Sequence, residues 1–440
     1  MAVRIELQSL IKYVQGYISQ YYAASITDRS KLPQLKGYIE KYLRDKQYEV
    51  PGYTSEELVD RVYSEMAEYS ILTPFLGRDE LEEININGWD DIALTYTNGR
   101  IEKLTQTFFS PEHCIDIVKR LLHHSGMIID NATPMSQGHL PNNTRITALK
   151  TPIVDEDRGM CVSIRLLHPA RVNRQGLIDS QFATQKMLDF LAICIRYGVS
   201  MVIAGATSSG KTTVLNSLLT QIPDNKRIFT IESGARELSL VRRDPETGHV
   251  TNNVVHTLSR PSDNPAYEIT QENLVVASLR FNPDIVCVGE MRDVECYSAV
   301  EASLTGHTVV STVHASAADA AHMRIALLCQ KRFPINFATS LMQAGQAFPI
   351  VAYNHKLENN QRKMMDITEC EILPNGERCY HTLFSYVITK NVVDENGKYI
   401  IEGHFEQPEI MSDSLKKRLL QFGVPQVELD KFLTKGADYS

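Results

Sequence analysis

Eight consecutive residues, Gly205-Ala206-Thr207-Ser208-Ser209-Gly210-Lys211-Thr212, have the types and spacing of a phosphate-binding loop, called the P-loop below. Its two glycines permit backbone angles closed to other residues, so successive N–H groups turn inward on an anion. Lys211 supplies a mobile positive charge for β- and γ-phosphates, and Thr212 supplies a hydroxyl for Mg²⁺. The motif predicts a nucleotide site that binds ATP and Mg²⁺.

The segments on either side of the P-loop have the patterns that such a site requires. The apolar run 199–204 predicts a buried strand, and the apolar periodicity at 214, 215, 218 and 219 predicts a helix that starts near Thr213. Strand, glycine loop and helix in this order are the context in which the motif is specific. A glycine turn without a ligand is the alternative, and the flanks disfavour it.

The composition limits the class of protein. A chain of 440 residues is too long for one hydrophobic core, so two or three domains are expected. Its 43% hydrophobic and 22% charged residues are ordinary for a soluble globular protein. A net charge of −8 argues against a nucleic-acid carrier, so no direct nucleic-acid partner is expected, although a local basic groove stays open.

The eight cysteines contain no CxxC pair, which favours a reducing compartment and no structural zinc. Cys370 and Cys379 flank a predicted hairpin turn at 374–376, so a metal or disulfide there remains an alternative. The N-terminus lacks the pattern of a secretion signal, and no apolar run is long enough to span a bilayer. Any membrane role is therefore expected to go through a partner.

Periodicity divides the chain into four parts. Residues 1–75 show helical spacing and are predicted to be a helical N-terminal extension without chemistry. Residues 76–168 alternate as strands around one helix, which predicts an α+β module of ordinary domain size. Residues 169–184 are polar and aperiodic and are interpreted as a linker. Residues 185–440 contain the P-loop and are predicted to be the nucleotide-binding domain with a C-terminal subdomain.

Three predicted strands after the P-loop each end in a residue capable of chemistry. The strand 227–231 ends at Glu232, the strand 284–288 leads to Glu290, and the strand 306–313 ends at His314. In an open parallel sheet, ligand-binding groups gather at the carboxyl ends of the strands. Glu290 is thus placed to hold Mg²⁺ through water or to polarise an attacking water. A solvated carboxylate is the alternative, and the P-loop disfavours it.

His314 and the arginines have weaker signals. A neutral imidazole at 314 suits donation to the γ-phosphate or sensing of its loss, whereas the alternative is a capped turn residue. The order of the predicted strands favours a RecA-like parallel sheet. The polar stretch 242–265 is interpreted as a loop or extended hairpin that carries the cation Arg260 near its end. Arg145 and Arg165, in the α+β module, are either surface cations or electrophiles for a phosphate.

Four segments carry a resemblance to a known family. They resemble the motifs of the secretion ATPases, the superfamily of type II and type IV secretion and pilus motors, and within it the CpaF-like ATPases of tight-adherence pili. The segments are 205–213, the acidic box 232–238, 279–292 with Gly289-Glu290-Met291-Arg292, and 305–315 with Ser311-Thr312-Val313-His314. The resemblance extends over about residues 75–435.

The resemblance implies an α/β fold in which an N-terminal α+β (PAS-like) sensing domain is hinged to a RecA-like P-loop NTPase domain. It implies a homohexamer at the cytoplasmic face of the inner membrane, peripheral to it, in contact with inner-membrane platform proteins. Hydrolysis of ATP is then expected to power pilus assembly or protein secretion, with movement of a hinge near 171–181.

The resemblance also implies roles for single residues. Lys211 and Thr212 would hold phosphate and Mg²⁺, Glu290 would be the Walker B carboxylate, and His314 the histidine-box residue. Glu237 is similar to the acidic-box glutamate that orients water, and Arg292 follows the Walker B glutamate. Arginines that reach the phosphates in the family are similar to Arg145, Arg165 and Arg260.

Two departures from the family pattern matter. Ser233 stands where the family's acidic box has aspartate, and one extra residue separates Glu232 from Glu237, so either glutamate is a candidate base. The chain lacks the tetracysteine insert of type II assembly ATPases, which disfavours that branch.

Two other functions remain open. One is a conjugation-type ATPase of a type IV secretion system that moves DNA or protein. The other is a nucleotide-gated scaffold with little hydrolysis.

Overall fold

The computed structural model describes residues 3–22, 32–123, 125–140, 144–166, 173–262 and 264–438. The chain divides into two compact units, Met1–Leu167 and His168–Ser440, each with its own hydrophobic core. Within the described ranges, no helix combines the length and apolar character needed to cross a bilayer. The eight cysteines, Cys370 and Cys379 included, are all free thiols.

The first unit begins with a layer of three described helices. Their bounds are α1 Leu7–Tyr21, α2 Leu32–Lys46 and α3 Ser55–Ala67, with a parallel pair of short strands, β1 Val3–Arg4 and β2 Tyr48–Glu49. The apolar positions 10, 11, 14 and 18 of α1 are buried, as helical spacing predicts. A capping box between Thr54 and Glu57 fixes the start of α3. Helix α2 falls within residues 1–75, for which the helical spacing predicts a helical extension.

The rest of the first unit is an antiparallel sheet of six strands among the described residues. The strands are β3 Leu81–Gly88, β4 Asp91–Tyr96, β5 Ile101–Lys103, β6 Met135–His139, β7 Arg145–Lys150 and β8 Met160–Arg165, in the order β5-β4-β3-β8-β7-β6. Helix α4, Pro111–His123, packs its buried face on this sheet. Strands around one helix are what the alternation of residues 76–168 predicts, and this sheet with α4 has that arrangement.

The second unit is built on a ten-stranded sheet among the described residues. Its strands are β9 Met201–Gly205, β10 Arg227–Glu232, β11 Asn253–Leu258, β12 Ile285–Val288, β13 Thr308–Val313, β14 Ile350–Lys356, β15 Arg362–Ile372, β16 Arg378–Val393, β17 Tyr399–Gln407 and β18 Gly436–Asp438. The order is β11-β10-β12-β13-β9-β14-β15-β16-β17-β18, parallel from β11 to β14 and antiparallel afterwards. The predicted RecA-like parallel sheet is confirmed, with β13 between the P-loop strand and β12.

Helices cover both faces of this sheet. They are α5 Arg174–Asp179, α6 Gln185–Arg196, α7 Lys211–Leu219, α8 Gln271–Ser278, α9 Glu295–Leu304, α10 Ala318–Gln330, α11 Phe337–Ala347, α12 Asp413–Gln421 and α13 Gln426–Asp430. Helices α6 and α7 contribute to one buried cluster and α9 to α11 to the other, as a two-sided parallel sheet requires. Of the predicted linker 169–184, residues 169–172 lie outside the described residues, and α5 forms from residue 174.

The interpretation of residues 242–265 as a loop or extended hairpin is wrong in part. Residues 253–258 form β11, which pairs in parallel with β10 and lies at the edge of the sheet. An edge strand has one neighbour instead of two, so its side chains stay half-buried and polar residues fit there. Thr257 Oγ1 donates to the Thr230 carbonyl at 2.7 Å, and His256 Nδ1 lies 2.8 Å from Thr230 Oγ1.

An aromatic cluster attaches the C-terminal residues to the core of the second unit. The ring of Phe190 on α6 lies 5.8 Å from that of Phe384 and 5.5 Å from that of Phe432, between centroids. All three side chains are at most 2% exposed. Because these rings come from α6, from β16 and from beyond α13, the C-terminal subdomain shares one core with the P-loop sheet.

Replacement of Phe190 by alanine is therefore expected to destabilise the second unit by about 3–5 kcal/mol, the range for a buried aromatic side chain. Phe422→Ala, at a ring that is 58% exposed, is the matched control and should cost far less. Urea unfolding followed by circular dichroism measures both. Equal losses for the two variants would contradict a shared core centred on Phe190.

Candidate functional site

The P-loop forms the turn between β9 and α7 at the carboxyl end of the central strand. Ser208 and Gly210 both take left-handed backbone conformations, with φ of 59° and 90°. Gly210 is the N-cap of α7 and provides no side-chain cap, so the first N–H groups of the helix keep their donors for a ligand. The loop thus has the geometry of an anion-binding turn.

Gly205 is a position where only glycine fits. A Cβ atom there would overlap both the backbone carbonyl oxygen of Asn354 on β14 and the hydroxyl of Ser209. Ser209 is fully buried, and among the described residues its Oγ has no hydrogen-bond partner. A buried hydroxyl without a partner in an anion-binding turn fits a loop shaped for a ligand.

Lys211 is 8% exposed, and its ammonium group bonds to the loop itself. Nζ donates to the carbonyl oxygens of Gly205 at 3.1 Å and Ala206 at 2.8 Å. A buried ammonium needs such acceptors, because an unpaired buried charge is costly. Thr212 and Thr213, in the first turn of α7, are half-buried, and Thr207 is exposed.

Glu290 and His314 lie next to each other beyond the ends of two adjacent parallel strands. Strands β12 and β13 pair with Val288 opposite Ser311, and His314 Nε2 lies 3.0 Å from Glu290 Oε1. The main chain around them is fixed by Met291 N–H, which donates to the Thr312 carbonyl at 2.9 Å. Since β13 also pairs with the P-loop strand β9, these two side chains and the P-loop lie together at the carboxyl ends of the strands.

The imidazole of His314 is held in its neutral form. Partial burial lowers the pKa of His314 first, and the positive charge of Lys211 lowers it further, while Glu290 opposes both effects. The imidazole is therefore neutral at pH 7 and bonds Glu290 as an N–H donor.

Glu232 is buried and shapes the acidic box. Its Oε1 accepts from the N–H groups of Glu237 at 2.7 Å and Leu238 at 3.0 Å. Burial raises the pKa of Glu232 to about 7, against these two hydrogen bonds, which lower it. Among the described residues its Oε2 has no hydrogen-bond partner. Glu237 lies on the loop that Glu232 holds and is half-buried.

Arg292 connects the segment after Glu290 to the acidic box. Its Nη2 donates to Ser233 Oγ at 2.7 Å. The backbone N–H groups of Arg292 and Asp293 both donate to the buried carboxylate of Glu295, at 2.7 and 2.9 Å. The serine that departs from the family pattern is therefore a hydrogen-bond partner of the arginine, a contact that the sequence analysis did not foresee.

The three remaining candidate arginines are Arg260 in the second unit and Arg145 and Arg165 in the first. Arg260 is exposed and follows β11, where its backbone pairs with Ile269. Arg145 and Arg165 belong to the first unit and lie directly opposite each other on β7 and β8. Their register places them in one cross-strand row with Glu83 and His139. Their roles toward a nucleotide stay predictions.

The sequence analysis missed Arg362, the first residue of β15. Its Nε donates to the carbonyl oxygen of Ser208 in the P-loop at 2.7 Å. No motif connects it with the P-loop, which lies about 150 positions earlier in the chain.

The parallel sheet and the turn after β9 are those of a RecA-like P-loop domain. Residues 68–408 match the family described as Type II/IV secretion system protein. This match covers more than half of the chain, so the protein belongs to that family.

Curated relatives in this family are similar over part of their length. PtlH, a type IV secretion system protein of Bordetella pertussis, is 32% identical over 193 residues, which are 42% of this chain and 54% of PtlH. An uncharacterised protein of Methanocaldococcus jannaschii is 29% identical over 242 residues, 55% of this chain and 42% of that protein. A putative conjugal transfer protein of Mycobacterium tuberculosis is 27% identical over 261 residues, 58% of this chain and 70% of that protein. The chain spans about half the length of the first two relatives.

Solved structures with a related fold have low sequence identity. The VirB11 ATPase of Brucella suis aligns with a TM-score of 0.34 at 20% identity, covering 68% of this chain and 95% of VirB11. The ATPase DotB of Legionella pneumophila gives 0.45 at 17% identity, covering 80% and 82%. The pilus retraction motor PilT with bound ADP gives 0.43 at 17% identity, covering 82% and 87%.

The raised pKa of Glu232 predicts a pH dependence of stability. The folded chain retains a proton up to about pH 7 that an unfolded chain loses near 4.5, so the free energy of unfolding falls as the pH rises between these values. The shift corresponds to about 3 kcal/mol. Glu232→Gln keeps the acceptor for both N–H groups but cannot ionise. In this variant the part of the fall in unfolding free energy that is due to residue 232 should disappear.

Urea unfolding at pH 5 and pH 8 measures the effect. The exposed Glu246, whose carboxylate lies outside the acidic box, is the matched control as Glu246→Gln and should keep the wild-type pH dependence. An identical pH dependence in wild type and Glu232→Gln would show that Glu232 is already ionised in the folded protein at pH 5.

Proposed function

We propose that this chain hydrolyses ATP and that hydrolysis powers assembly of a tight-adherence-type pilus or secretion of protein across the membrane. The observation that carries the proposal is the Glu290–His314 pair at the same sheet edge as the P-loop, with the Lys211 charge acting on the imidazole. A lysine at an anion-binding turn and a carboxylate beside it are groups that phosphoryl transfer uses in P-loop enzymes.

The residues at the P-loop fit a nucleotide with Mg²⁺. The uncapped start of α7 and the buried ammonium of Lys211, which donates to carbonyl oxygens of the loop, suit the β- and γ-phosphates. Thr212 and Glu290 are the oxygen donors for Mg²⁺, directly or through water. When bound, Mg²⁺ neutralises the charge that develops on the phosphate oxygens.

We assign separate roles to the acidic residues. Glu232 is buried and engaged with two backbone N–H groups, so we propose that it holds the acidic-box loop. Glu237, half-buried on that loop, then orients the attacking water. Glu290 polarises water beside the metal, and His314, as a neutral donor, bonds Glu290 and senses the γ-phosphate. Arg292 keeps the acidic box close to Glu290 through Ser233.

We propose that Arg145, Arg165 and Arg260 supply positive charge to the phosphates. Arg145 and Arg165 are direct cross-strand neighbours, and like charges in that position repel each other. Glu83, opposite Arg165 in the same row, offsets part of this repulsion, and a polyanion would offset more of it, which supports a phosphate role for the pair. An arginine that stabilises the transferring phosphoryl group contributes on the order of 10³-fold or more in other P-loop enzymes.

The working assembly that we propose is a CpaF-like homohexamer at the cytoplasmic face of the inner membrane. Membership in the Type II/IV secretion system family supports this assembly and contact with inner-membrane platform proteins. In this account membrane contact goes through those partners, without direct nucleic-acid binding. Loss of the γ-phosphate frees the arginines of the first unit and moves the hinge around residues 171–181.

A second candidate is a type IV secretion ATPase that moves DNA or protein. The names of two relatives favour it, since PtlH is a type IV secretion system protein and another is a putative conjugal transfer protein. Affinity purification of the native chain from membranes separates the two. Recovery of a pilus platform protein supports the pilus motor, whereas recovery of a conjugation channel supports the second candidate.

ATP turnover tests the proposal. Lys211→Ala should lower phosphate release by on the order of 10²–10³-fold or more, because one preorganised donor to the transferring group is lost. Glu290→Gln should abolish turnover but retain bound ATP, because the P-loop is intact. Steady-state phosphate release and retention of radiolabelled ATP measure the two effects.

Matched controls separate these effects from unfolding. Lys226→Ala removes a lysine just before β10, at the amino ends of the strands and so opposite the P-loop. Glu301→Gln changes a glutamate on α9. Both should keep wild-type turnover. Wild-type activity in Lys211→Ala or Glu290→Gln would overturn the assignment. ATP binding without measurable turnover in the wild type would favour the nucleotide-gated scaffold, which the serine at 233 keeps open.

A further inference from the structure

The start of β15 contacts two segments that are distant in sequence. Arg362 Nε donates to the carbonyl oxygen of Ser208 in the P-loop at 2.7 Å. Lys363 Nζ donates to the carbonyl oxygen of Gln181 at 2.6 Å, and Met364 N–H donates to the carbonyl oxygen of Phe182 at 2.8 Å. Three successive residues thus hold the P-loop and the chain just before α6.

The contact of Arg362 fixes the P-loop residue with the least favourable conformation. Ser208 has a φ of 59°, a left-handed angle that costs energy in a residue with a Cβ atom. A charge-assisted hydrogen bond to its carbonyl oxygen holds that oxygen outward. An outward carbonyl at Ser208 keeps its negative end away from the start of α7, where the uncapped N–H groups of the helix face a phosphate.

The segment before α6 touches the P-loop directly. The side chain of Phe182 is 4% exposed, and its ring lies against Gly210, 3.1 Å from where a Cβ atom of that glycine would be. Gln181, which accepts from Lys363, also has a left-handed φ of 53°. Lys363 itself is 1% exposed and lies 5.2 Å from the centre of the Tyr386 ring, so the anchor for Gln181 is buried.

We propose that Arg362 is a positioning residue of the P-loop, and that residues 362–364 tie the nucleotide cradle and the segment 181–182 to one strand. The part that concerns nucleotide affinity rests on the proposed function. Arg362 acts through the backbone of Ser208, so its loss affects the affinity for nucleotide more than the chemical step. A change in the P-loop is transmitted to residues 181–182 because both share the support of β15.

Nucleotide affinity and backbone order in the full chain test this proposal. Arg362→Ala should weaken binding of a fluorescent ADP analogue about tenfold or more, the effect of one charge-assisted hydrogen bond. It should raise KM for MgATP with little change in kcat. Arg362→Lys keeps a charged donor and should restore most of the affinity. Lys356→Ala, directly opposite Arg362 on β14, is the matched control and should behave as wild type.

Hydrogen exchange without nucleotide gives a readout that does not depend on the proposed function. Arg362→Ala and Arg362→Lys should differ in the exchange of amides 206–212, with faster exchange in the alanine variant. Lys363→Met should speed exchange at residues 181–183 and also in the P-loop, as a shared support requires. Protection elsewhere in the second unit should stay at the wild-type level, which excludes general loss of structure.

The outcomes distinguish the two proposals. If the wild type binds no nucleotide but the exchange changes appear, the proposed function fails and the positioning role stands. If the wild type binds nucleotide and Arg362→Ala has wild-type affinity and exchange, the positioning role is overturned. If Lys363→Met leaves exchange in the P-loop unchanged, the shared support is overturned.

Discussion

The backbone conformation of the P-loop is the constraint on which the second unit depends. Two left-handed residues, Ser208 and Gly210, must lie within three positions so that N–H groups converge at the start of α7. Left-handed conformations persist only where their surroundings enforce them. Here β14 closes on Gly205 without room for a side chain, and β15 bonds the Ser208 carbonyl through Arg362. The sheet is therefore a support for one short turn.

Charge compensation is the second constraint at this edge of the sheet. The ammonium of Lys211 bonds carbonyl oxygens of its own loop, while burial first and the Lys211 charge second lower the pKa of His314. Glu232 is buried and takes its hydrogen bonds from backbone donors. A polyanionic ligand would compensate the charge of Lys211 directly. Through the Lys211 charge it would also act on His314 and Glu290. The site is thus electrostatically coupled before any part of the chain moves.

The elements that local pattern determines were predictable from the sequence, and those that depend on distant neighbours were not. The P-loop, Glu290 and His314 follow buried parallel strands that are rich in apolar residues, so the ends of these strands could be predicted from the sequence. Strand β11 was missed because an edge strand need not be apolar. Arg362 was missed because its partner Ser208 lies far away in the chain. The bond from Arg292 to Ser233 arises only when two adjacent strands bring their ends together.

The measurement that tests the central claim most directly is a crystal structure of the full chain with Mg²⁺ and a non-hydrolysable ATP analogue. The account predicts that Lys211 Nζ leaves the carbonyl oxygens of Gly205 and Ala206 and bonds the β- and γ-phosphates. It also predicts that Glu290 faces the metal through water, while Arg362 keeps its hydrogen bond to the carbonyl oxygen of Ser208. An analogue bound elsewhere, with Lys211 still on its own loop, would contradict the account.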